Sequence, residues 1–110
     1  MKFRVRCAIL LAAAFVLHAS PARCAQNSVA DAQREFNAGH YHKAVDALTA
    51  AAAKSPDDAP LHFLLGQCYY ELREFTRAAA SLERSVQLAP NQSEYHDWLG
   101  KAYGRRAEET

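Results

Sequence analysis

The sequence predicts an all-α fold, with antiparallel helical hairpins stacked as a short superhelix of about two and a half repeats. Three observations carry that prediction. First, similar segments lie 34 residues apart. Leu65-Gly66-Gln67-Cys68-Tyr69 returns as Leu99-Gly100-Lys101-Ala102-Tyr103, and Tyr41-His42-Lys43-Ala44 returns as Phe75-Thr76-Arg77-Ala78. Second, from about residue 28 onward the apolar residues follow helical spacing, and no stretch alternates as a strand would. Third, the segments between are short, and most carry Gly, Pro, Asp or Asn, which end helices and start new ones.

The elements follow in order. Ser28-Val29-Ala30-Asp31 reads as a capping box opening a first helix over 28–38, and Gly39 stands where a helix end favours a left-handed residue. Tyr41, Ala44, Val45, Leu48, Ala51 and Ala52 share one face of a second helix over 41–53. Pro56 ends it, because the residue before a proline is pushed out of the helical region. Asp58 caps a third helix over 59–72, with Pro60 tolerated in its first turn. A fourth spans 75–88, turns Ala78, Leu82, Val86 and Leu88 inward, and stops at Pro90. Asn91-Gln92-Ser93-Glu94 reads as a second capping box, opening a fifth helix over 93–105. Residues 107–110 are polar and expected to fray.

The first residues have a different character. Lys2, Arg4 and Arg6 precede an apolar run of about 13 residues, and Ser20-Pro21-Ala22 puts small residues at a cleavage site. The run is well short of the roughly 20 residues that a spanning helix needs. It reads as a secretory signal over 1–22, cleaved between 22 and 25, which implies a periplasmic or secreted protein with no membrane span after cleavage. Arg23 before Cys24 weighs against a lipidated cysteine. Cys68 reads as a small buried apolar residue, because so few cysteines cannot form a disulfide framework. The whole chain carries net charge +1; residues 26–110 keep nine Lys/Arg against twelve acids, a balance of −3. Dispersed charge of that sign leaves no footprint for nucleic acid.

The repeated residues resemble the tetratricopeptide repeat, whose 34-residue unit runs W-x2-L-G-x2-Y…A-x3-F…A…P. Ala59 to Gln92 matches best, with Leu65, Gly66, Tyr69, Phe75, Ala78, Leu82 and Pro90. The unit over 25–58 matches at Ala32, Gly39, Tyr41, Ala44, Leu48, Ala51 and Pro56. It departs at Asp31 and Glu35, which stand where the pattern has Leu and Tyr and which suit an outer, solvent-facing cap. A partial unit over 93–106 supplies Leu99, Gly100 and Tyr103, with Trp98 two positions later than the family's tryptophan. The repeat domain covers 26–106. Small residues are expected where hairpin axes approach, Gly66 against Ala78 and Ala32 against Ala44.

The resemblance implies a protein-interaction module, a scaffold or assembly factor without catalytic residues or a cofactor, and the signal-like start makes it an exported one. Its partner, a protein or peptide, would lie in the concave groove lined by the first helix of each hairpin. Carried over by position, the groove residues are Gln33, Phe36, Asn37, Phe63, Gln67, Tyr70, Glu71, Asp97, Lys101 and Arg105. Phe63 and Tyr70 would supply affinity, and Gln33, Gln67 and Lys101 orientation. Positions that hold a peptide carboxylate in chaperone-binding members are here Val29, Gln33, Leu64, Glu94 and Trp98, none of them cationic. Three alternatives stay open: a structural segment of a longer array, self-association through the C-terminal helix, and a metal-handling or enzyme-associated subunit. For the last, His62 and His96 occupy equivalent places in consecutive units, about 10 Å apart by helix-packing distance, a separation better suited to packing than to a metal. No nucleophile elbow, phosphate loop or Cys-x-x-Cys-His is present.

Overall fold

Gly39 and Arg73 sit 34 residues apart and both adopt the left-handed backbone, with φ of 82° and 63°. That shared conformation turns the chain twice in the same way. The computed structural model describes residues 21–110, with side chains from Ser28; the expected signal over 1–20 lies outside the described residues. The helices are α1 (Pro21–Asn37), α2 (Tyr41–Lys54), α3 (Ala59–Glu71), α4 (Phe75–Leu88) and α5 (Ser93–Glu109). Each packs on the next, and α1 also touches α3 as α3 touches α5. The first helices of successive units therefore lie side by side.

The two hairpin turns match bond for bond. After α1, Gly39 N–H donates to the Phe36 carbonyl (3.0 Å) and His40 N–H to that of Glu35 (2.8 Å). After α3, Arg73 N–H donates to Tyr70 (3.0 Å) and Glu74 N–H to Tyr69 (2.9 Å). These bonds satisfy carbonyls that the helix end would leave without partners. An edge-on ring pair closes each turn, Phe36 on Tyr41 at 5.4 Å and Tyr70 on Phe75 at 5.3 Å.

The turns between units repeat as well. The Nε2 of His62 bonds the Pro56 carbonyl at 2.7 Å, and that of His96 bonds Pro90 at 2.8 Å. A carbonyl only accepts, so each Nε2 carries the proton. Asp58 caps α3 as expected, its carboxylate accepting from Leu61 N–H at 3.2 Å.

The core has two parts. Ala32, Ala44, Leu48, Ala51, Leu61, Leu64, Leu65 and Cys68 close the first unit against α3. Ala78, Ala79, Leu82 and Ala102 close the second against α5, with Tyr69 bridging both parts. As expected from the small residues, α3 and α4 come very close: a Cβ placed on Gly66 would lie 2.6 Å from Leu82 Cγ and 3.3 Å from the Ala78 carbonyl oxygen. Ser85 occupies the place of Ala51 one unit later and is fully buried, its hydroxyl donating to the Leu82 carbonyl at 2.7 Å.

The boundaries differ from expectation in three places. α1 is already helical from Pro21 onward and does not wait for Ser28, because Ala25 and Gln26 favour helix. The N-cap of α5 is Gln92, whose side chain makes no capping bond; Ser93 is already helical, so the second capping box is not formed. α5 continues through Ala107, Glu108 and Glu109, where Arg105 pairs with Glu108 at 2.9 Å. Glu35 accepts from His40 Nδ1 at 2.8 Å and Asp31 pairs with Arg34, which gives the outer side of α1 a polar surface.

Candidate protein-binding face

α3 contributes Phe63, Gln67, Tyr70 and Glu71 at spacings that set them along one side of the helix, toward α5. Phe63 stacks on Tyr95 with ring centroids 4.4 Å apart and meets Trp98 edge-on at 6.4 Å. Tyr70 meets Trp98 edge-on at 5.3 Å. Phe63, Tyr70 and Trp98 are half-buried, Tyr95 is buried, and together they make up the seam between α3 and α5. Their aromatic character serves the stacking of units, and Phe63 and Tyr70 stand on this side of α3 as half-buried rings.

Cations cover this seam. Lys101 Nζ stands 4.7 Å from the Trp98 ring and Arg105 Cζ 5.3 Å from Phe75, both exploiting the negative face of an aromatic ring. Tyr70, Glu71, Arg73, Phe75 and Arg105 line a shallow depression of about 270 Å³ at the turn end of the face. Gln67 is half-buried on α3. On α1, Gln33 Nε2 donates to Asn37 Oδ1 at 3.0 Å, and both residues are exposed. The structure thus brings Phe63, Tyr70, Glu71, Lys101 and Arg105 together around α3 and α5, and sets Gln33 and Asn37 apart as a pair on α1. Tyr95 was missed by sequence reasoning. Its spacing with Trp98 and Ala102 is that of an inward helical stripe, and that was the available signal. Burial, with Glu94 and Asp58 nearby, pushes the Tyr95 phenol above its ordinary value.

The remaining reactive groups are accounted for structurally. His62 and His96 each use Nε2 on a proline carbonyl, and no group of three metal-ligating side chains occurs among the described residues. Cys68 is fully buried and burial pushes its thiol up to about 11, which removes its nucleophilic form. No helix among the described residues is long and apolar enough to cross a membrane.

Repeating hairpins joined by matching turns, with first helices aligned along one side, define a stacked helical-repeat protein. The chain belongs to the tetratricopeptide-repeat family, whose model matches residues 35–102. It is 38% identical over 55 residues, half of this chain, to Anaphase-promoting complex subunit 3 of Dictyostelium discoideum. It is 30% identical over 75 residues, 68% of this chain, to Superkiller complex protein 3 of Mus musculus. The chain spans 6% and 5% of the length of those two relatives. Members of the family bind other proteins.

Proposed function

We propose that this chain is an exported interaction module that holds an extended segment of a partner protein along the side shared by α1, α3 and α5. The reading rests above all on the layering at α3 and α5. Rings are locked into the seam, Lys101 and Arg105 stand over ring faces, and Gln67 lies on the same side of α3. Amides and cations above a rigid apolar floor match a peptide, whose backbone needs hydrogen-bond partners and whose side chains need apolar contact. Relatives named as parts of multiprotein complexes agree with a scaffold or assembly role. Export is the reading of the basic head and apolar run at the start of the chain.

The test is affinity capture by the processed chain from its own cell envelope, compared with a Gln67→Ala/Lys101→Glu double variant. Loss of a specific partner by about tenfold, with an unchanged circular-dichroism melt, supports the face. Equal capture by both proteins overturns it. Export is tested separately, by fractionation and N-terminal sequencing of the mature chain. An unprocessed chain confined to the cytoplasm would refute it.

A further inference from the structure

Charges at the turn end of the face are unevenly satisfied. Arg77 pairs with Glu74 at 3.5 Å and Arg105 with Glu108 at 2.9 Å, whereas Arg73 and Lys101 enter no ion pair among the described residues. Arg105 spends only Nη1 on Glu108, which leaves Nη2 and Nε as donors. The depression that Arg73 and Arg105 line with Tyr70 and Phe75 therefore holds two guanidinium groups against one carboxylate, that of Glu71. The Tyr70 hydroxyl is a further donor there. On the other side of Arg73 the adjoining depression is balanced, Arg73 and Arg77 against Glu74 and Glu109. The surplus of positive charge lies on the Tyr70 side, and Lys101, four residues before Arg105, extends it along α5. Arg73 also occupies a backbone conformation that Gly39 takes in the preceding unit, φ 63° against 82°. An arginine held there against its backbone preference, with no protein carboxylate on its guanidinium, is available to a ligand.

We infer that this depression receives an acidic side chain, glutamate or aspartate, carried by the partner's segment, with Arg73 and Arg105 as its donors. The inference rests on the reading of the α1, α3 and α5 side as peptide-binding and names what such a peptide must carry. One carboxylate in the depression can accept from both guanidinium groups, in charge-assisted bonds that a neutral side chain cannot match. Glu71 limits the charge of the occupant: a doubly charged phosphate would be repelled by it more strongly than a singly charged carboxylate. The place also differs from the positions that hold a peptide's terminal carboxylate in chaperone-binding members, which carry no cation in this chain.

The probe is the blocked peptide acetyl-Leu-Glu-Leu-amide, titrated at constant ionic strength to about 20 mM into the isotope-labelled chain, with the arginine Nε–H signals followed. Saturating shifts at Arg73 and Arg105 are expected, and replacing the peptide's Glu by Gln should weaken binding about tenfold or more. Arg73→Gly should weaken the Glu peptide about fivefold or more while the thermal melt does not fall, a combination that a merely structural arginine would not give. No shifts at these arginines, or an Arg73→Gly protein that binds the Glu peptide unchanged, overturns the inference. Inorganic phosphate, or acetyl-Leu-Gln-Leu with a free C-terminus, binding there more tightly than the Glu peptide would assign the depression to another anion and likewise overturn it. Equal affinity for the Glu and Gln peptides, with shifts at Gln67 and Lys101, overturns the acidic preference and leaves the peptide face standing. The face itself fails only through equal capture in the preceding experiment.

Discussion

Gly66 lies so close to Leu82 that a methyl group on the glycine would stand 2.6 Å from Cγ and 2.8 Å from Cδ2 of the leucine. Leu82 is fully buried and has nowhere to retreat. Gly66→Ala is therefore expected to destabilise the chain by about 1–3 kcal/mol, overcoming the gain in helix propensity. Gly100→Ala, one repeat later, meets nothing within 4 Å and should stabilise by about 0.5–1 kcal/mol. Urea unfolding of the two variants checks the pair. Changes of the same sign would contradict the packing described for α3 and α4.

That contrast also shows how far the sequence could be read. The period, the helix order and the close approach at Gly66 were legible because each depends on residue type at a fixed spacing. The start of α1 was not. Ser28 and Asp31 form a local capping pattern, but a helix that can be extended by Ala25 and Gln26 does not stop there. The phase of Phe63 and Tyr70 points toward the first helices, the side on which a binding groove is expected. The same phase also points into the seam with α5, where Tyr95 and Trp98 meet these rings. His62 and His96 were correctly paired by spacing, although their proline partners lie in turns whose geometry no spacing reveals.

Arg73 holds φ at 63°, a conformation its own Cβ disfavours, whereas its counterpart Gly39 adopts φ 82° freely. Arg73→Gly should raise stability by a few tenths to about 1 kcal/mol, reduced somewhat by the added freedom of the unfolded chain. Gly39→Ala should lower it by about 1 kcal/mol. Thermal melts of both variants decide the matter; a destabilised Arg73→Gly would mean that the arginine side chain holds the turn.

Trp98 touches both Phe63 and Tyr70, so it is the ring that joins α5 to the second unit. Trp98→Ala should cost about 2–3 kcal/mol, toward the lower end for a large aromatic because the ring is half-buried. Phe63 and Tyr95 stack at 4.4 Å and should show a coupling of about 0.5–1.5 kcal/mol in a double-mutant cycle. Amide hydrogen exchange should locate the damage in α5. Uniform loss of protection would argue that the units unfold as one block.

Cys68 gives the fold a pH dependence whose sign can be derived. Its thiol rises from 9.0 to about 11 on folding, chiefly because burial disfavours the thiolate. A group with a raised folded value contributes stability that is complete below the unfolded value and is lost as pH climbs through the folded one. Stability should therefore be unaffected by this group below pH 9.0 and fall toward about 11. The slope cannot exceed about 1.4 kcal/mol per pH unit for one proton. Cys68→Ala leaves a small void but removes the titrating group, so its unfolding free energy should fall less over that interval. Identical profiles for the two proteins would show that other groups, the tyrosines among them, govern the alkaline limb.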